Sequence, residues 1–275
     1  MDKIISHYRD EKIFYNHMVR SKTLGVGFDI HTHDICEMIF LKGGNASAII
    51  GNKTYKLHKH SLAIFRANVP HRIRIEDDTE YDRHDILFDE NKLANQIFNR
   101  LPKDLDIISC SGNRYVIDLF EKLDFYYENF KGQDLRVLVT NVVEELLFNL
   151  YLAPLNEFNS NLIATHPIVS RAIEYINVHY EQEITIEDIC KYLCITKSHL
   201  HHLFMDNLQI SPKKYVNIKR LSKAQKLIRM GEKPSVIYTS CGFSDYGTFF
   251  RNYTTYFGYT PSQKNEIVIE RRIES

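Results

Sequence analysis

The feature that most constrains the fold is a repeated pattern near the carboxy terminus, where two pairs of short helices are predicted on either side of a longer helix. In the first pair, Thr185 precedes Asp188 by three residues, which resembles a capping box, and Thr196 can cap the next helix. In the second pair, Gly242 supplies the turn and Ser244 is predicted to cap the helix that follows. Two short helices joined by a tight turn, the second with a polar outer face, describe a helix-turn-helix.

The longer helix between the pairs fixes their spacing. It is predicted to begin at Ser211–Pro212 and to end at Gly231, so that its roughly 18 residues span about 27 Å at a rise of ~1.5 Å per residue. Successive major-groove faces of B-DNA lie ~34 Å apart. The pattern therefore predicts two units that enter adjacent grooves on one side of a duplex, with Lys219 and Arg220 reaching phosphates.

The charge distribution agrees with a polyanionic partner. The whole chain has 35 Lys and Arg against 35 Asp and Glu, but residues 166–275 hold 15 of the former and 11 of the latter. A basic excess is informative where a DNA-reading motif is also present.

Residues 166–264 resemble the DNA-binding domain of AraC/XylS-type transcription regulators. The resemblance rests on ITIEDICKYLCITKSHLHHLF (184–204), ISPKKYVNIKRLSKAQKLI (210–228) and CGFSDYGTFFRNYTTYFGYTP (241–261). It implies DNA contacts by Lys197, Ser198, His201 and His202 in the first unit, by Asp245, Tyr246, Gly247, Phe250 and Arg251 in the second, and by Lys219 and Arg220 on the connecting helix. Because Gly247 has no side chain with which to read a base, we expect the first unit, or Arg251 alone in the second, to read more of the sequence.

The amino-terminal part is predicted to be a small β-barrel or sandwich. Short β-prone runs are separated by turn residues, with Gly43–Gly44 and Gly51–Asn52 placed as hairpin turns would be. The strands predicted from these runs are 38–41, 46–50, 61–65, 73–75 and 84–88.

A set of imidazoles and one carboxylate marks this part of the chain. His31, His33 and Glu37 resemble the first cupin motif, and the segment 66–71 resembles the second, with Arg66 in place of its Pro. Three imidazoles and a carboxylate facing into a barrel would suit a divalent transition metal. The same pattern commonly survives without a catalytic metal in sensor cupins of AraC-type regulators, so metal ligation by His31, His33, Glu37 and His71 stays an alternative and no cofactor is assigned.

The barrel is also a natural place for a small-molecule effector. The resemblance implies an effector pocket, with a sugar or similar polyol as the class that the family often senses. The residues assigned to that pocket are Phe28, His31, His33, Glu37, Ile39, Phe65, Arg66 and His71.

Two helices are predicted after Gly112, separated by a break at Gly132 and ended by Pro154. The second helix is apolar over much of its circumference, which is typical of a helix buried on more than one side. It either packs only on its own barrel or also forms a dimer seam.

These observations predict an α+β multidomain protein. Residues 1–110 form a cupin-like sensing barrel, 111–155 a helical dimerisation segment, 156–165 a linker and 166–275 an all-α double helix-turn-helix domain. The predicted function is that of a ligand-responsive transcription regulator, an activator by family default, that binds double-stranded DNA as a homodimer and contacts RNA polymerase. The rival functions are a metal-dependent cupin enzyme and a ligand-independent DNA-binding dimer; no catalytic residue is assigned.

The compartment follows from what the sequence lacks. Five cysteines without CxxC spacing suit a reducing cytosol better than a disulfide framework. The chain has neither a run approaching the ~20 apolar residues of a membrane span nor an amino-terminal signal. We therefore expect a cytoplasmic protein without a membrane partner.

Overall fold

The structure is a computed structural model that describes residues 2–21, 30–153, 162–163 and 166–263. The strands are β1 (Asp2–Arg9), β2 (Ile13–Arg20), β3 (Cys36–Gly43), β4 (Ala46–Ile50), β5 (Lys53–Leu57), β6 (Ser61–Phe65), β7 (His71–Ile75), β8 (Tyr81–Phe88), β9 (Ile107–Ser109) and β10 (Leu162–Ile163). The helices are a 3-10 helix (Ala94–Arg100), α1 (Arg114–Asn129), α2 (Gly132–Leu152), α3 (Pro167–His179), α4 (Ile186–Leu193), α5 (Lys197–Leu208), α6 (Pro212–Arg229), α7 (Pro234–Ile237) and α8 (Tyr246–Phe257). The predicted order, a β-rich part followed by a helical part, is confirmed.

Two sheets form the barrel. One has six strands in the order β1-β2-β8-β3-β6-β9, and the other has four in the order β10-β5-β4-β7. Side chains alternate along each strand, so that Ile39 and Leu41 of β3 lie between the sheets while Met38 and Phe40 face the helices. The space between the sheets is lined largely by apolar side chains, with the polar groups gathered toward one part of it.

The two predicted glycine turns have different outcomes. Gly51 has φ of 59° and joins β4 to β5, which pair as an antiparallel hairpin. Gly44 has φ of 88°, but it links β3 of the large sheet to β4 of the small one, so the prediction of a hairpin there is wrong. A Cβ at Gly44 would lie 2.9 Å from the carbonyl oxygen of Glu80, so the chain crosses between sheets where only glycine fits.

The helices α1 and α2 cover the outer face of the six-stranded sheet. Leu146, Leu147 and Leu150 of α2 are fully buried against this face. On the opposite side of α2, Val137 and Phe148 are exposed. The helix is therefore buried on more than one side within this chain, and dimerisation through its exposed side stays a prediction.

The carboxy-terminal helices form two further cores. The first unites α3, α4, α5 and the start of α6, and the second gathers the end of α6 with α7 and α8. Both cores share α6, whose residues Val216 and Leu221 are buried in the first and the second core. One continuous helix thus holds the two units at a fixed separation.

Candidate nucleic-acid interface and barrel site

The first helix-turn-helix is built by local hydrogen bonds that the sequence predicts. The Asp188 amide donates to Thr185 Oγ1 at 3.2 Å, and the Thr185 amide donates to Asp188 Oδ2 at 2.9 Å, which completes the capping box at the start of α4. Cys194 ends α4 in the left-handed region, with φ of 55°. Thr196 Oγ1 then accepts from the His199 amide and starts α5.

The outer face of α5 carries the predicted base-contacting residues. Ser198, His201 and His202 are exposed, whereas Leu200 and Phe204 on the opposite face are fully buried. Lys197 is also exposed, and its ammonium group pairs with the Glu187 carboxylate of α4. The helix thus presents hydroxyl and imidazole groups to solvent, and these groups can hydrogen-bond to base edges or phosphates.

The second turn depends on a close approach that only glycine permits. Gly242 has φ of 88°, and a Cβ there would lie 2.4 Å from the Tyr180 carbonyl oxygen and 2.7 Å from Arg220 Nε. The following helix is capped by Asp245, whose Oδ1 accepts from the Thr248 amide at 2.7 Å. The prediction that Ser244 is the cap is therefore wrong by one residue, because both Ser and Asp can cap and the sequence does not rank them.

The outer face of α8 is less uniform than that of α5. Gly247 and Arg251 are exposed, and Arg251 Nη2 donates to Thr248 Oγ1 at 3.1 Å. Tyr246 and Phe250 are half-buried, with the Tyr246 ring edge-on to Tyr238 at 5.7 Å. Asp245 is exposed but serves the helix as its cap, so Arg251 is the predicted contact residue of α8 with an exposed charge free of structural duty.

Arg220 has a different role from the predicted phosphate contact. Its Nε donates to the Tyr180 carbonyl at 2.8 Å and its Nη2 donates to the Gln182 carbonyl at 2.8 Å. These bonds tie α6 to the loop after α3, directly beneath Gly242. Lys219 is half-buried, its Nζ lies 5.5 Å from the Tyr180 ring centroid, and burial lowers its pKa. The guanidinium of Arg220 thus stabilises the second turn.

The structure brings the four predicted metal candidates together at one place inside the barrel. We call His31, His33, Glu37 and His71 the barrel site; their ligand atoms all lie within 4.8 Å of one another. Glu37 Oε2 lies 2.9 Å from His33 Nε2 and 3.0 Å from His71 Nε2. Burial opposes ionisation of Glu37, but its contacts with the two imidazoles hold its pKa well below the usual range. Burial lowers the pKa of His71.

The other predicted effector residues divide into two groups. Ile39 and Phe65 line the space between the sheets, and the Phe65 ring stacks on His71 at 4.4 Å. Arg66 does not belong to the barrel site: its Nη2 donates to the Pro102 carbonyl and its guanidinium lies over the Phe98 ring. The alternation of β6 explains this difference, because Phe65 faces inward and the next residue must face outward. Phe28 lies outside the described residues.

Sequence reasoning missed a second polar group inside the barrel. Asn16 of β2 pairs with Asp85 of β8, which pairs in turn with the inward-facing Ile39, so all three share the inner face. Two positions along β8, Arg83 shares this face, and Tyr81 follows it. The signal that could have revealed the group is the alternation of polar and apolar residues in β2, a strand that was not predicted.

A cluster of histidines connects the opposite face of the large sheet to α1. His17 Nδ1 lies 2.8 Å from Asp124 Oδ1, and His17 Nε2 lies 2.8 Å from Asp82 Oδ1. Burial lowers the pKa of His17, but hydrogen bonds to the two carboxylates outweigh it and raise that pKa overall. His84 stacks on His17 with ring centroids 3.8 Å apart. This cluster fastens the helical segment to the sheet.

Two family models match the chain. The model of an AraC-like ligand binding domain covers residues 21–100, and that of a helix-turn-helix domain covers residues 189–266. The first match contains the barrel site and the second contains both helix-turn-helix units after Ile189. No described helix is long and apolar enough to cross a membrane.

Curated relatives and solved structures are similar over different shares of the chain. The lactose operon transcription activator of Staphylococcus xylosus is 31% identical over 149 residues, 54% of this chain and 53% of that protein, so the chain spans about half the length of this relative. The melibiose operon regulatory protein of Escherichia coli K12 is 22% identical over 262 residues, 88% of this chain and 85% of that one. An apo ToxT variant from Vibrio cholerae aligns over 92% of this chain and 97% of its own, with 16% identity and a TM-score of 0.42, too low to carry an argument.

Proposed function

The chain is an AraC-family protein, with an AraC-like ligand-binding domain ahead of a helix-turn-helix domain, and we propose from this premise that it is a sequence-specific DNA-binding transcription regulator controlled by a small-molecule effector. The observation that carries the proposal is the rigid pairing of two helix-turn-helix units on one helix, α6, with polar or charged residues on the outer faces of α5 and α8. An 18-residue helix spans about 27 Å, which is close to the spacing of successive major-groove faces.

The proposed division of labour follows from exposure. Ser198, His201 and His202 on α5 read bases in one groove, and Arg251 on α8 reads the next. An arginine pairs with guanine through two hydrogen bonds, so a single residue can specify a base. The half-buried aromatic rings of Tyr246 and Phe250 limit polar readout by α8.

Selection of bound duplexes from a random-sequence pool tests this function. We expect an enriched motif with two sequence blocks whose centres lie about one helical turn, ~10.5 base pairs, apart. The block that faces α5 should carry more information than the block that faces α8. Recovery of unrelated sequences with no shared motif would contradict sequence-specific binding.

We propose that the effector is a sugar or a similar polyol that binds between the sheets. Relatives with similar sequences regulate lactose and melibiose operons according to their names. Inside the barrel, Asn16 Oδ1 and Tyr81 Oη are buried and have no hydrogen-bond partner among the described residues. Burying such groups is costly unless a partner is supplied, and the hydroxyl groups of a polyol both donate and accept.

A thermal-shift panel of mono- and disaccharides tests the effector class. A sugar at a hundredfold excess over its Kd should stabilise the protein by ~2.7 kcal/mol. The Tyr81→Phe variant removes one hydroxyl from the barrel without changing the ring, so it should fold and respond less to the same sugar. A sugar that stabilises the wild type and this variant equally does not bind at Tyr81, and a panel with no shift at all contradicts the sugar class.

We further propose that the regulator is a homodimer joined through the exposed side of α2. Val137, Phe148 and Leu152 are 47%, 39% and 78% exposed there, although the rest of the helix is apolar and buried. Sedimentation of the full chain measures this directly, and a monomer at all concentrations would contradict the proposed seam.

A further inference from the structure

Two rings of the barrel site are held in one protonation pattern by backbone carbonyl groups. His33 Nδ1 lies 2.7 Å from the Ile35 carbonyl oxygen, and His71 Nδ1 lies 2.7 Å from the Val69 carbonyl oxygen. A carbonyl oxygen only accepts hydrogen bonds, so each Nδ1 must carry the proton. In each neutral ring, the Nε2 atom therefore presents a lone pair, and the same donor-to-carbonyl bond is the one that orients histidine ligands at metal sites.

Both lone pairs point at one carboxylate oxygen. Glu37 Oε2 lies 2.9 Å from His33 Nε2 and 3.0 Å from His71 Nε2, and both imidazoles are 2% exposed. Three electron-rich atoms converge in a place without water, which requires positive charge between them. Two extra protons would create two buried imidazolium ions, whereas one divalent cation supplies the same charge and leaves both rings neutral.

The spacing of the three atoms also fits a metal ion. Ligand atoms at right angles around a metal, each at ~2.1 Å, lie about 3.0 Å from one another. His31 adds a third imidazole, whose ring centroid is 4.5 Å from that of His71. Imidazole and carboxylate ligands together select zinc, iron, nickel, cobalt or manganese rather than magnesium or calcium.

The histidine cluster on the other face of the sheet lacks this geometry. The rings of His17 and His84 stack at 3.8 Å with an angle of 18° between their planes. A metal ion lies in the plane of each imidazole that binds it, and two nearly parallel planes this far apart do not meet at one ion. The convergence at the barrel site is therefore not a general property of clustered histidines in this protein.

The loop that carries two of the imidazoles also contacts the DNA-binding part. The Thr32 amide, between His31 and His33, donates to Tyr256 Oη of α8 at 3.0 Å. Thr32 Oγ1 lies 3.4 Å from Ser222 Oγ of α6. Both helices that frame the second helix-turn-helix unit are thus fastened to the loop that holds His31 and His33.

The same loop contributes an ion pair with the end of α6. Arg229 Nη1 donates to the Asp34 carbonyl at 2.7 Å, and Arg229 Nη2 donates to Asp89 Oδ2 at 2.5 Å. Asn68, whose amide donates to the His33 carbonyl at 2.7 Å, accepts from Ser222 Oγ through its Oδ1 at 3.1 Å. Every described contact in this group lies within a few residues of a barrel-site imidazole.

We propose that His31, His33, Glu37 and His71 bind a divalent transition metal ion, and that the bound ion fixes the loop 31–34 and with it the docking of α6 and α8 on the barrel. A metal bond to His31 and His33 removes the freedom of the residues between and beside them. The contacts of Thr32 and Asp34 with the helices then lose less conformational entropy on forming. The site is a metal input to the second helix-turn-helix unit, and neither part of the proposal requires that the chain bind DNA.

Metal binding is measured on the full chain after dialysis against a chelator. Titration with cobalt(II), followed by its ligand-field absorption, and with zinc(II), followed by calorimetry, should each show one ion per chain. Glu37→Gln keeps the shape and lets the amide donate to an imidazole lone pair, so it should fold yet bind the metal at least ~10-fold more weakly. His58→Asn, at an exposed histidine outside the site, is the matched control and should bind as the wild type does. Absence of stoichiometric binding of manganese, iron, cobalt, nickel and zinc to the wild type, or equal binding by Glu37→Gln, overturns the metal site.

Docking is measured by amide hydrogen exchange with and without zinc(II). We expect exchange in residues 222–229 and 254–257 to slow by about threefold or more when the metal binds, because the helix ends open less often. Arg229→Gln removes the ion pair with Asp34 and Asp89 but no metal ligand, so it should still bind one ion while the protection of these segments is lost. If the wild type binds the metal and exchange in both segments is unchanged, the coupling is wrong. Since both measurements omit DNA, failure of the duplex selection would leave them interpretable.

Discussion

The turn of the second helix-turn-helix offers a quantitative test because the chain contains its own control. Gly242 and Gly231 both have φ near 90°, at 88° and 94°. A Cβ at Gly231 would meet nothing within 4 Å, whereas at Gly242 it would lie 2.4 Å from the Tyr180 carbonyl oxygen. Replacing each glycine by alanine therefore imposes the same backbone strain but only one clash.

The two losses can be worked out separately. The left-handed backbone costs an alanine ~1–2 kcal/mol at either position. At Gly242 the neighbouring carbonyl oxygen cannot withdraw freely, since it accepts a hydrogen bond from Arg220 Nε at 2.8 Å. Relieving the overlap costs a further ~1–3 kcal/mol, and breaking the hydrogen bond to a charged donor costs ~1.5–3 kcal/mol. We expect Gly231→Ala to destabilise by about 1 kcal/mol and Gly242→Ala by about 4 kcal/mol.

Urea unfolding of the full chain, followed by far-ultraviolet circular dichroism, measures the two losses. Binding of a selected duplex measures their consequence, because Gly242 positions α8 through its turn and Gly231 follows the end of α6. The Gly242→Ala protein should lose sequence-specific binding, and the Gly231→Ala protein should keep it. Equal destabilisation by the two substitutions would refute the claim that the close approach, rather than the backbone angle, requires glycine at position 242.

Two other expectations concern single charged groups. Arg251→Ala should cost ~1–3 kcal/mol of binding free energy at one operator base pair, measured by competition between selected and random duplexes; an equal loss on both kinds of DNA would show that the side chain contacts phosphate. Hydrogen bonds with His17 and Ser6 overcome burial and lower the pKa of Asp124 to about 2, whereas contacts with Asp124 and Asp82 raise that of His17. The His17 contribution is full below its unfolded pKa and disappears as the pH rises through its raised folded pKa, and the Asp124 contribution of about 2 kcal/mol disappears as the pH falls from about 4 to about 2. Asp124→Asn should therefore destabilise most near pH 5 to 6 in thermal unfolding, and a loss independent of pH would contradict this ion pair.

The sequence predicted the carboxy-terminal half well because its determinants are local. Thr185, Thr196 and Ser211 each accept a hydrogen bond from the amide three residues later, so the start of each helix is encoded within four positions. The one error at a helix start, Ser244 in place of Asp245, displaced the boundary by a single residue. Arg220 was misassigned for the opposite reason: its partners at Tyr180 and Gln182 lie 40 and 38 residues away, where no periodicity in α6 reveals them.

The barrel shows the same division between local and distant information. The motif residues His33, Glu37 and His71 were identified as a group, and the structure places them within hydrogen-bond distance. Arg66, only five positions from His71, was grouped with them because spacing was considered without strand alternation. The polar pair Asn16 and Asp85 comes from β2 and β8, 69 positions apart in the chain, and was not predicted, since only sheet register brings them together.

The contact between the barrel and α6 follows least from sequence, yet it decides how the two halves communicate. Arg229 was counted with the cations of the connecting helix, but its guanidinium is held by Asp34 and Asp89 of the barrel. An exposed ion pair contributes little by itself; this one gains importance because Asp34 follows His33 directly and Thr32 precedes it. A change at the barrel site therefore reaches the second unit through one loop of four residues, without any rearrangement of the sheets. Such a short connection couples two sites only if the loop has two states of similar free energy, and the difference in ligand affinity between those states sets the largest change that the effector or metal can produce.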